Sequence, residues 1–266
     1  RRRRRRRLVT SHVESASNTR IVAIARLKER RQREASGMFL IEGARETRLA
    51  LSTGTPIAEA FLCRAYDNAE SERLAEKLVE AGIQLTTTSA RAFNKLSVRQ
   101  HPDGIVAVAP TWDSPIEELT GDLTLAAESI EKPGNLGAMF RTADATGAGL
   151  LIADPTVDPF NPNVVRASQG ALFSVRFAQA DTDSAITWAL RRESLFVATP
   201  DAHVELWDAD LTGGATIVVG SEHAGVSAAW RTAGTPVRIP MAGIADSLNA
   251  SVSAAVMLFE AVRQRR

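Results

Sequence analysis

Residues 239–253 read IPMAGIADSLNASVS and combine a proline turn with an unusually polar helix start. Ser247 or Asp246 is a suitable N-cap, and an apolar helix is predicted from Leu248 to Phe259. Asn249 and two serines nevertheless lie in the first turns, where a core helix ordinarily carries alanine, leucine or glutamate. The pattern indicates either a helix start held open for a ligand or a well-capped helix that is rich in serine.

The composition is that of an ordinary globular protein. The chain has 266 residues, of which 44% are hydrophobic and 24% charged, enough for one large or two modest domains. No apolar run reaches the roughly 18 residues of a transmembrane helix, so no membrane association is predicted. The basic start lacks the apolar segment of a signal peptide, which favours a cytoplasmic location.

Cysteine and histidine usage argues against a metal centre. The single cysteine, Cys63, excludes an internal disulfide and lies in the apolar run 57–63, where we expect a buried thiol. The four histidines include no close pair. We therefore predict no metal site.

Charge is distributed unevenly along the chain. Residues 1–110 contain 21 Lys and Arg against 12 Asp and Glu, whereas residues 111–266 contain 11 against 19. Seven of the positive charges form the run Arg1–Arg7, which would bind any polyanion and says little about function. A second basic cluster is compatible with contact to an RNA or DNA backbone, although a solvated helix face is the commoner explanation. Its members are Arg20, Arg26, Lys28, Arg30, Arg31 and Arg33.

The sequence predicts four segments. Residues 1–17 are expected to be a disordered basic leader, and residues 111–120 a linker. Between them, residues 18–110 alternate predicted helices and strands, which is typical of a small α/β domain. Its predicted helices are 20–34, 44–53, 69–82 and 89–96, and its strands 38–41, 57–63, 83–87 and 105–109.

Residues 121–266 are predicted to form a second domain with a parallel sheet. Its predicted strands are short unbroken runs of Val, Ile and Leu, as in sheets that are covered on both faces. These strands are 123–128, 150–153, 195–199, 216–220 and 237–239. Ligands bind at the carboxyl ends of the strands in open sheets of this kind.

Three loops follow predicted strands of the second domain and carry candidate functional residues. The first reads ESIEKPGNLGAMFR over residues 128–141, the second GSEHAG over 220–225, and the third is the polar helix start. Asn135 and Arg141 are six residues apart, about 240° around a helix, so they do not share one helical face. The phosphate-binding and dinucleotide-binding glycine motifs are absent, which disfavours ATP and NAD.

Together these loops resemble the three motifs of the SpoU/TrmH family. The resemblance rests on Asn135-Leu136-Gly137-Ala138 with Arg141, on Gly220-Ser221-Glu222 with Gly225, and on Ile239-Pro240-Met241 with Ser247-Leu248-Asn249. The stretch Ser168-Gln169-Gly170-Ala171 also resembles a feature of the family. The match covers about 121–266, and residues 18–110 resemble, by element order alone, an L30e-like RNA-binding domain.

The resemblance implies a fold and a cofactor. Members of this family, within the SPOUT class, have a parallel sheet whose C-terminal segment forms a deep trefoil knot, and they usually act as homodimers. They bind S-adenosyl-L-methionine in the knot. Carried over to this chain, the cofactor-binding residues are Thr199, Gly220, Ser221, Glu222, Ile239, Met241, Ser247 and Leu248.

The resemblance also implies a reaction, the transfer of a methyl group to an RNA ribose 2′-hydroxyl. The catalytic residues would be Arg141, Asn135, Ser247, Asn249 and Glu222, and the RNA-binding residues Arg20, Arg26, Lys28, Arg30 and Arg31. Ribosomal RNA is the expected substrate because an RNA-binding domain is attached. The alternatives are a transfer RNA methyltransferase and a non-catalytic RNA-binding protein that retains the fold. A role in antibiotic resistance also stays open.

Overall fold

The computed structural model describes residues 11–66, 68–192 and 194–266. The chain divides into two compact units. The first contains the chain up to Trp112 together with Phe160–Phe173, and the second contains Asp113–Pro159 and Ser174–Arg266. The predicted second domain is therefore not one continuous unit, because the segment Phe160–Phe173 belongs to the first. The run Arg1–Arg7 lies outside the described residues.

Helices and strands alternate along most of the chain. The strands are β1 (His12–Val13), β2 (Met38–Glu42), β3 (Glu59–Leu62), β4 (Gln84–Thr88), β5 (Ile105–Pro110), β6 (Leu123–Glu128), β7 (Gly149–Ala153), β8 (Phe177–Ala180), β9 (Ser194–Ala198), β10 (Val204–Glu205), β11 (Ala215–Val219) and β12 (Thr235–Arg238). The helices are α1 (Thr19–Ala25), α2 (Arg30–Ser36), α3 (Ala44–Ser52), α4 (Ala69–Glu80), α5 (Ala90–Leu96), α6 (Pro133–Thr146), α7 (Pro162–Ser168), α8 (Thr182–Ala189), α9 (Ala228–Ala233) and α10 (Ala250–Gln264). The predicted α/β fold class is confirmed.

The first unit contains a mixed sheet in the order β1-β4-β3-β5-β2. Strand β5 runs antiparallel to both of its neighbours, whereas β1, β4 and β3 are parallel. Helix α1 packs on α5, and α3 packs on α4. The predicted buried thiol of Cys63 is confirmed, with the side chain in a core that includes Phe61 and Phe93.

Two predictions for the start of this unit are wrong. The helix expected over 20–34 divides into α1, a 3₁₀ turn at Arg26–Lys28, and α2. The buried guanidinium of Arg33 stabilises this break, because it donates to the backbone oxygens of Leu27 and Lys28, both at 2.9 Å. The disorder expected for residues 1–17 is also wrong at His12–Val13, because these residues form β1, which pairs with β4 and adds a strand to the sheet.

Helix α7 covers the edge strand β2 of the first sheet. Four aromatic rings hold this segment in place: Phe160 lies 4.8 Å from Phe39 and 4.7 Å from Trp112, and Phe173 lies within 6.5 Å of both, measured between ring centroids. An exposed edge strand can pair with other chains, so covering β2 removes a site of aggregation. The aromatic cluster makes the segment Phe160–Phe173 part of the core of the first unit.

The second unit contains a fully parallel sheet in the order β10-β12-β9-β11-β6-β7-β8. The predicted parallel sheet is thereby confirmed, and β6 and β11 are buried along their whole length, as their apolar sequences require. Strands β8 and β10 were not predicted, because β8 is only FAQA and β10 only two residues long. The carboxyl ends of parallel strands lie at the same edge of a sheet. The loops that follow the neighbouring strands β12, β9, β11 and β6 therefore meet at that edge.

No helix within the described residues is long and apolar enough to span a bilayer.

We expect Phe160→Ala to destabilise the first unit by about 3–5 kcal/mol, because it removes the ring at the centre of the aromatic cluster and leaves a cavity. Urea unfolding followed by tryptophan fluorescence measures the effect. The matched control is Leu190→Ala, whose side chain is 57% exposed and should change stability little. Equal midpoints for the two variants would show that the cluster does not hold the segment in place.

Candidate functional site

The loops at the carboxyl edge of the parallel sheet enclose a cavity of about 720 Å³. This volume lies within the range of small-molecule and cofactor sites, about 300–1,000 Å³. All eight residues expected to bind a cofactor line it, and they come from the loops after β9, β11 and β12. They are Thr199, Gly220, Ser221, Glu222, Ile239, Met241, Ser247 and Leu248.

The loop after β11 is closed tightly at Gly220. A Cβ atom there would lie 2.1 Å from the backbone oxygen of Gly225, so no larger residue fits without a backbone shift. The Gly225 amide donates to the Ser221 carbonyl at 3.0 Å, and the Ala224 amide donates to the Ser221 hydroxyl at 3.2 Å. The small residue at position 220 thus lets the loop fold back on itself and form one wall of the cavity.

Helix α10 begins later than predicted. Its N-cap is Asn249, not Ser247 or Asp246, and Leu248 is not helical. The Asn249 side-chain oxygen accepts from the backbone amide of Ser251 at 3.0 Å and from its hydroxyl at 2.7 Å, which satisfies a free donor of the helix start. The two residues before Asn249 consequently remain in the loop and line the cavity.

Three of the predicted catalytic residues form a chain of hydrogen bonds. The Asn249 amide nitrogen donates to the Asn135 side-chain oxygen at 3.2 Å, and the Asn135 amide nitrogen donates to the Glu222 carboxylate. The residues come from the N-terminal turn of α6, the loop after β11 and the start of α10. The second carboxylate oxygen of Glu222 is buried and has no partner among the described residues. A buried acceptor of this kind on a cavity wall indicates a place for a ligand donor.

The fourth, Arg141, lies elsewhere on α6. Its side chain is exposed, it does not line the cavity, and it makes no hydrogen bond or ion pair with the described part of the chain. Asn249 bonds Asn135 and not Arg141, since α6 turns by about 240° between positions 135 and 141. Ser247, the remaining predicted catalytic residue, is exposed and lies on the cavity wall.

Charged residues that the sequence did not single out also line the cavity. Asp201 accepts from the Thr199 hydroxyl and from Arg231, and these two hydrogen bonds hold the pKa of Asp201 below its usual value. Arg238 donates to Glu205 at 2.8 Å, while its buried Nε has no partner among the described residues. The position of Asp201, just beyond the end of β9, is the signal that could have identified it.

Several residues of the predicted RNA-binding cluster make contacts within the protein. Arg20 pairs with Glu59 and stacks over the ring of Phe61, and Lys28 donates to the backbone oxygens of Lys95 and Ser97 at 2.8 and 2.7 Å. Burial lowers the pKa of Lys28. In the same cluster, Arg30 pairs with Glu34, whereas Arg26 and Arg31 have exposed side chains.

Comparison with known proteins agrees with this arrangement. The family model described as the SpoU rRNA Methylase family matches residues 122–259, just over half of the chain. The chain belongs to the SpoU rRNA methylase family. A second model, the MRM3-like substrate binding domain, matches residues 18–107.

Several relatives align with nearly the full length of this SpoU-family chain. The 23S rRNA (uridine(2479)-2'-O)-methyltransferase of Streptomyces viridochromogenes is 30% identical over 91% of this chain and 88% of its own length. A crystal structure of an RNA 2'-O ribose methyltransferase is 41% identical, covers 96% of this chain and 99% of its own, and has a TM-score of 0.83. The AdoMet-bound rRNA methyltransferase of Sinorhizobium meliloti is 30% identical, with coverages of 96% and 98% and a TM-score of 0.86.

We expect Gly220→Ala to lower the free energy of unfolding by about 1–3 kcal/mol, because the new methyl group collides with the backbone around Gly225. Thermal unfolding measures the change. The control is Gly243→Ala in the neighbouring loop, where a Cβ would meet nothing within 4 Å. If both variants unfold at the same temperature, the loop after β11 is looser than its geometry indicates.

Proposed function

We propose that this protein is an S-adenosylmethionine-dependent methyltransferase that methylates the ribose 2′-hydroxyl of ribosomal RNA. The observation that carries the proposal is the chain of hydrogen bonds Asn249–Asn135–Glu222 beside the cavity. Membership of the SpoU family and the names of the relatives support the ribosomal substrate over transfer RNA. We further propose that the protein acts in the cytoplasm, because its proposed substrate is ribosomal RNA.

The cavity suits S-adenosylmethionine, which carries an ammonium, a carboxylate and a positively charged sulfonium. When bound, the cofactor supplies an activated methyl group. One carboxylate oxygen of Glu222 and the Nε of Arg238, which have no partner in the described part of the chain, offer the cofactor buried groups of both charges. Met241 and Leu248 contribute apolar surface, and Gly220 leaves its backbone accessible. The eight cavity residues named above are therefore our proposed cofactor site.

We assign Arg141 to the stabilisation of the ribose oxygen. Methyl transfer builds negative charge on that oxygen, and a guanidinium stabilises it without proton transfer. Arginine is a poor base because its pKa lies above about 12. The Arg141 side chain is exposed and has no partner among the described residues, so it is available to substrate. We propose that water or an RNA phosphate accepts the proton of the 2′-hydroxyl.

The other proposed catalytic residues position the substrate. Asn135 is fixed on both sides, by Glu222 and Asn249, so its amide has a defined orientation towards a ligand. The hydroxyl of Ser247 lies on the cavity wall and is available to the ribose or the cofactor. Glu222 acts mainly by holding Asn135 in place.

We propose that residues 18–110 bind RNA and that the second unit, Asp113–Pro159 with Ser174–Arg266, carries out the chemistry. The match of the MRM3-like substrate binding domain to residues 18–107 supports the assignment of RNA binding to this part of the chain. Exposed Arg26 and Arg31 remain candidates for RNA contact, whereas Arg20, Lys28 and Arg30 have protein partners. A non-catalytic RNA-binding protein is the alternative function, and calorimetry with S-adenosylmethionine in the presence of RNA separates the two.

We also propose the knot implied by the family resemblance. Strand β12 lies in the sheet between β9 and β10, although β9 and β10 follow each other directly along the chain. The connection between β9 and β10 must therefore pass across β12. This order is the one expected when the C-terminal segment threads the preceding loop.

A homodimer is the final part of the proposal. The exposed side chains of Val252 and Phe259 lie seven residues apart on one face of α10, and Met241 and Ile244 are exposed in the preceding loop. Exposed apolar side chains that gather on one surface mark interaction sites. We propose that a second copy of the chain covers them, in keeping with the family resemblance.

Replacement of Arg141 by alanine should reduce methyl transfer to RNA by at least about a hundredfold without loss of the fold, because the developing charge loses its stabilising cation. Transfer of radioactive methyl groups from S-adenosylmethionine to deproteinised ribosomal RNA measures the rate. The matched control is Arg191→Ala, another exposed arginine of the second unit. Near-normal activity of the Arg141 variant would exclude this residue from the mechanism.

A charge on the exposed face of α10 should prevent self-association. We expect Phe259→Asp to sediment as a monomer where the unmodified chain is a dimer, since burying the carboxylate at the interface is unfavourable. Analytical ultracentrifugation gives the mass directly. Leu190→Asp, which changes an exposed side chain on a different element, should remain dimeric; a dimeric Phe259→Asp would contradict the proposed interface.

A further inference from the structure

We propose that Arg45 and Gln169 form a surface of the first unit that binds the sugar–phosphate backbone of the substrate RNA. Arg45 lies in the first turn of α3, and Gln169 follows α7. The Arg45 Nη1 donates to the Gln169 side-chain oxygen at 2.9 Å, although the residues are 124 positions apart. The inference rests on the proposed function, because it concerns the RNA that the enzyme would methylate.

The Arg45–Gln169 pair presents unused donors. Apart from this bond, neither side chain has a hydrogen-bond or ion-pair partner in the part of the chain that the structure describes. Because the Gln169 oxygen is occupied, its amide nitrogen is left to donate, and Arg45 retains four N–H groups. Guanidinium and amide donors side by side suit phosphate and ribose oxygens, which are acceptors.

Three carboxylates around the start of α3 are engaged with groups other than Arg45. Glu46 is buried and pairs with Arg99 at 3.1 Å, and Asp103 accepts from the backbone amide of Ala44 at 2.9 Å. The buried Glu42 accepts from the Ser97 hydroxyl and from the Val98 amide. None of these acids pairs with Arg45, and no ion pair to Arg45 occurs among the described residues.

The backbone around Gln169 brings α7 close to α3. Gln169 has the left-handed conformation with φ 50°, uncommon for a residue other than glycine. Gly170 has φ 95°, and a Cβ there would lie 2.3 Å from Leu49 of α3. The turn therefore fixes Gln169 against α3. Two further exposed arginines lie three positions from the pair along the chain. Arg48 on α3 pairs with Glu70 at 3.6 Å, and Arg166 on α7 donates to the Asn163 side chain at 3.3 Å.

Nucleic acid fits this surface better than a protein or a membrane. Among the described residues, the exposed large hydrophobic side chains all lie between Leu190 and Phe259, outside the first unit. Protein interfaces usually carry apolar anchors at their centre, whereas RNA backbones are bound by arginines and polar donors. The surface also differs from the basic cluster of α1 and α2, in which Arg20 and Lys28 have protein partners.

The test uses the full chain and deproteinised 23S ribosomal RNA, with binding followed by filter retention across a range of salt concentrations. We expect Arg45→Ala to weaken binding about five- to twentyfold and to lower the salt dependence by about one phosphate contact. Gln169→Glu should weaken binding at least as much, because the new carboxylate pairs with Arg45 and repels phosphate. The matched control is Lys77→Ala on α4, an exposed cation away from the pair.

The KM for RNA should rise in both variants, while kcat at saturating RNA and the Kd for S-adenosylmethionine stay unchanged. Binding by both variants equal to that of Lys77→Ala would overturn the proposal, as would a loss confined to Arg31→Ala. If Arg45→Ala does not fold, Gln169→Glu decides the matter alone. RNA binding that depends on Arg45, without any methyl transfer by the unmodified chain, would support the surface and contradict the proposed enzyme.

Discussion

The candidate site depends on the side chain of Asn135, which joins parts of the chain that are 87 and 114 residues away. Asn135 donates to Glu222 and accepts from Asn249, so both ends of one amide are used. The bond between the two asparagines contributes about 0.5–1.5 kcal/mol to stability, and a bond to a charged carboxylate about 1.5–3 kcal/mol. Their greater effect is on orientation, because loss of Asn135 would leave the Glu222 carboxylate with both oxygens unpaired. A buried acceptor in that state costs about 1–3 kcal/mol, enough to favour a different loop conformation.

Asn135 can act in this way only because the sheet is parallel. Strands β12, β9, β11 and β6 are adjacent, so the loops that follow them emerge at one edge. The unbroken apolar runs of these strands predicted such a sheet, and the polar residues after them predicted the members of the site. The tertiary partners were harder to foresee. That Asn249 bonds Asn135 depends on the position of Asn135 in the first turn of α6 and on Asn249 being the N-cap of α10, and neither follows from the local sequence alone.

Other errors of prediction have a common cause in long-range contacts. The break between α1 and α2 depends on Arg33, whose burial is not visible in a run of basic residues. The short strand β1 exists only because β4, more than 70 residues later, offers an edge for pairing. The assignment of Phe160–Phe173 to the first unit depends on aromatic contacts with Phe39 and Trp112. Local patterns predict elements well, but they do not show which distant surface an element will cover.

The distribution of charge limits how this chain could hold the proposed RNA substrate. Residues 111–266 carry 11 basic against 19 acidic side chains, and this net negative charge disfavours the binding of a polyanion. Affinity must then come from particular unpaired cations, because RNA binding depends on the release of counterions from phosphates. A count of arginines is a poor guide to them, since Arg20 and Arg33 are engaged within the fold. The relevant quantity is the number of guanidinium groups left without a carboxylate or carbonyl partner, and only the folded structure reveals it.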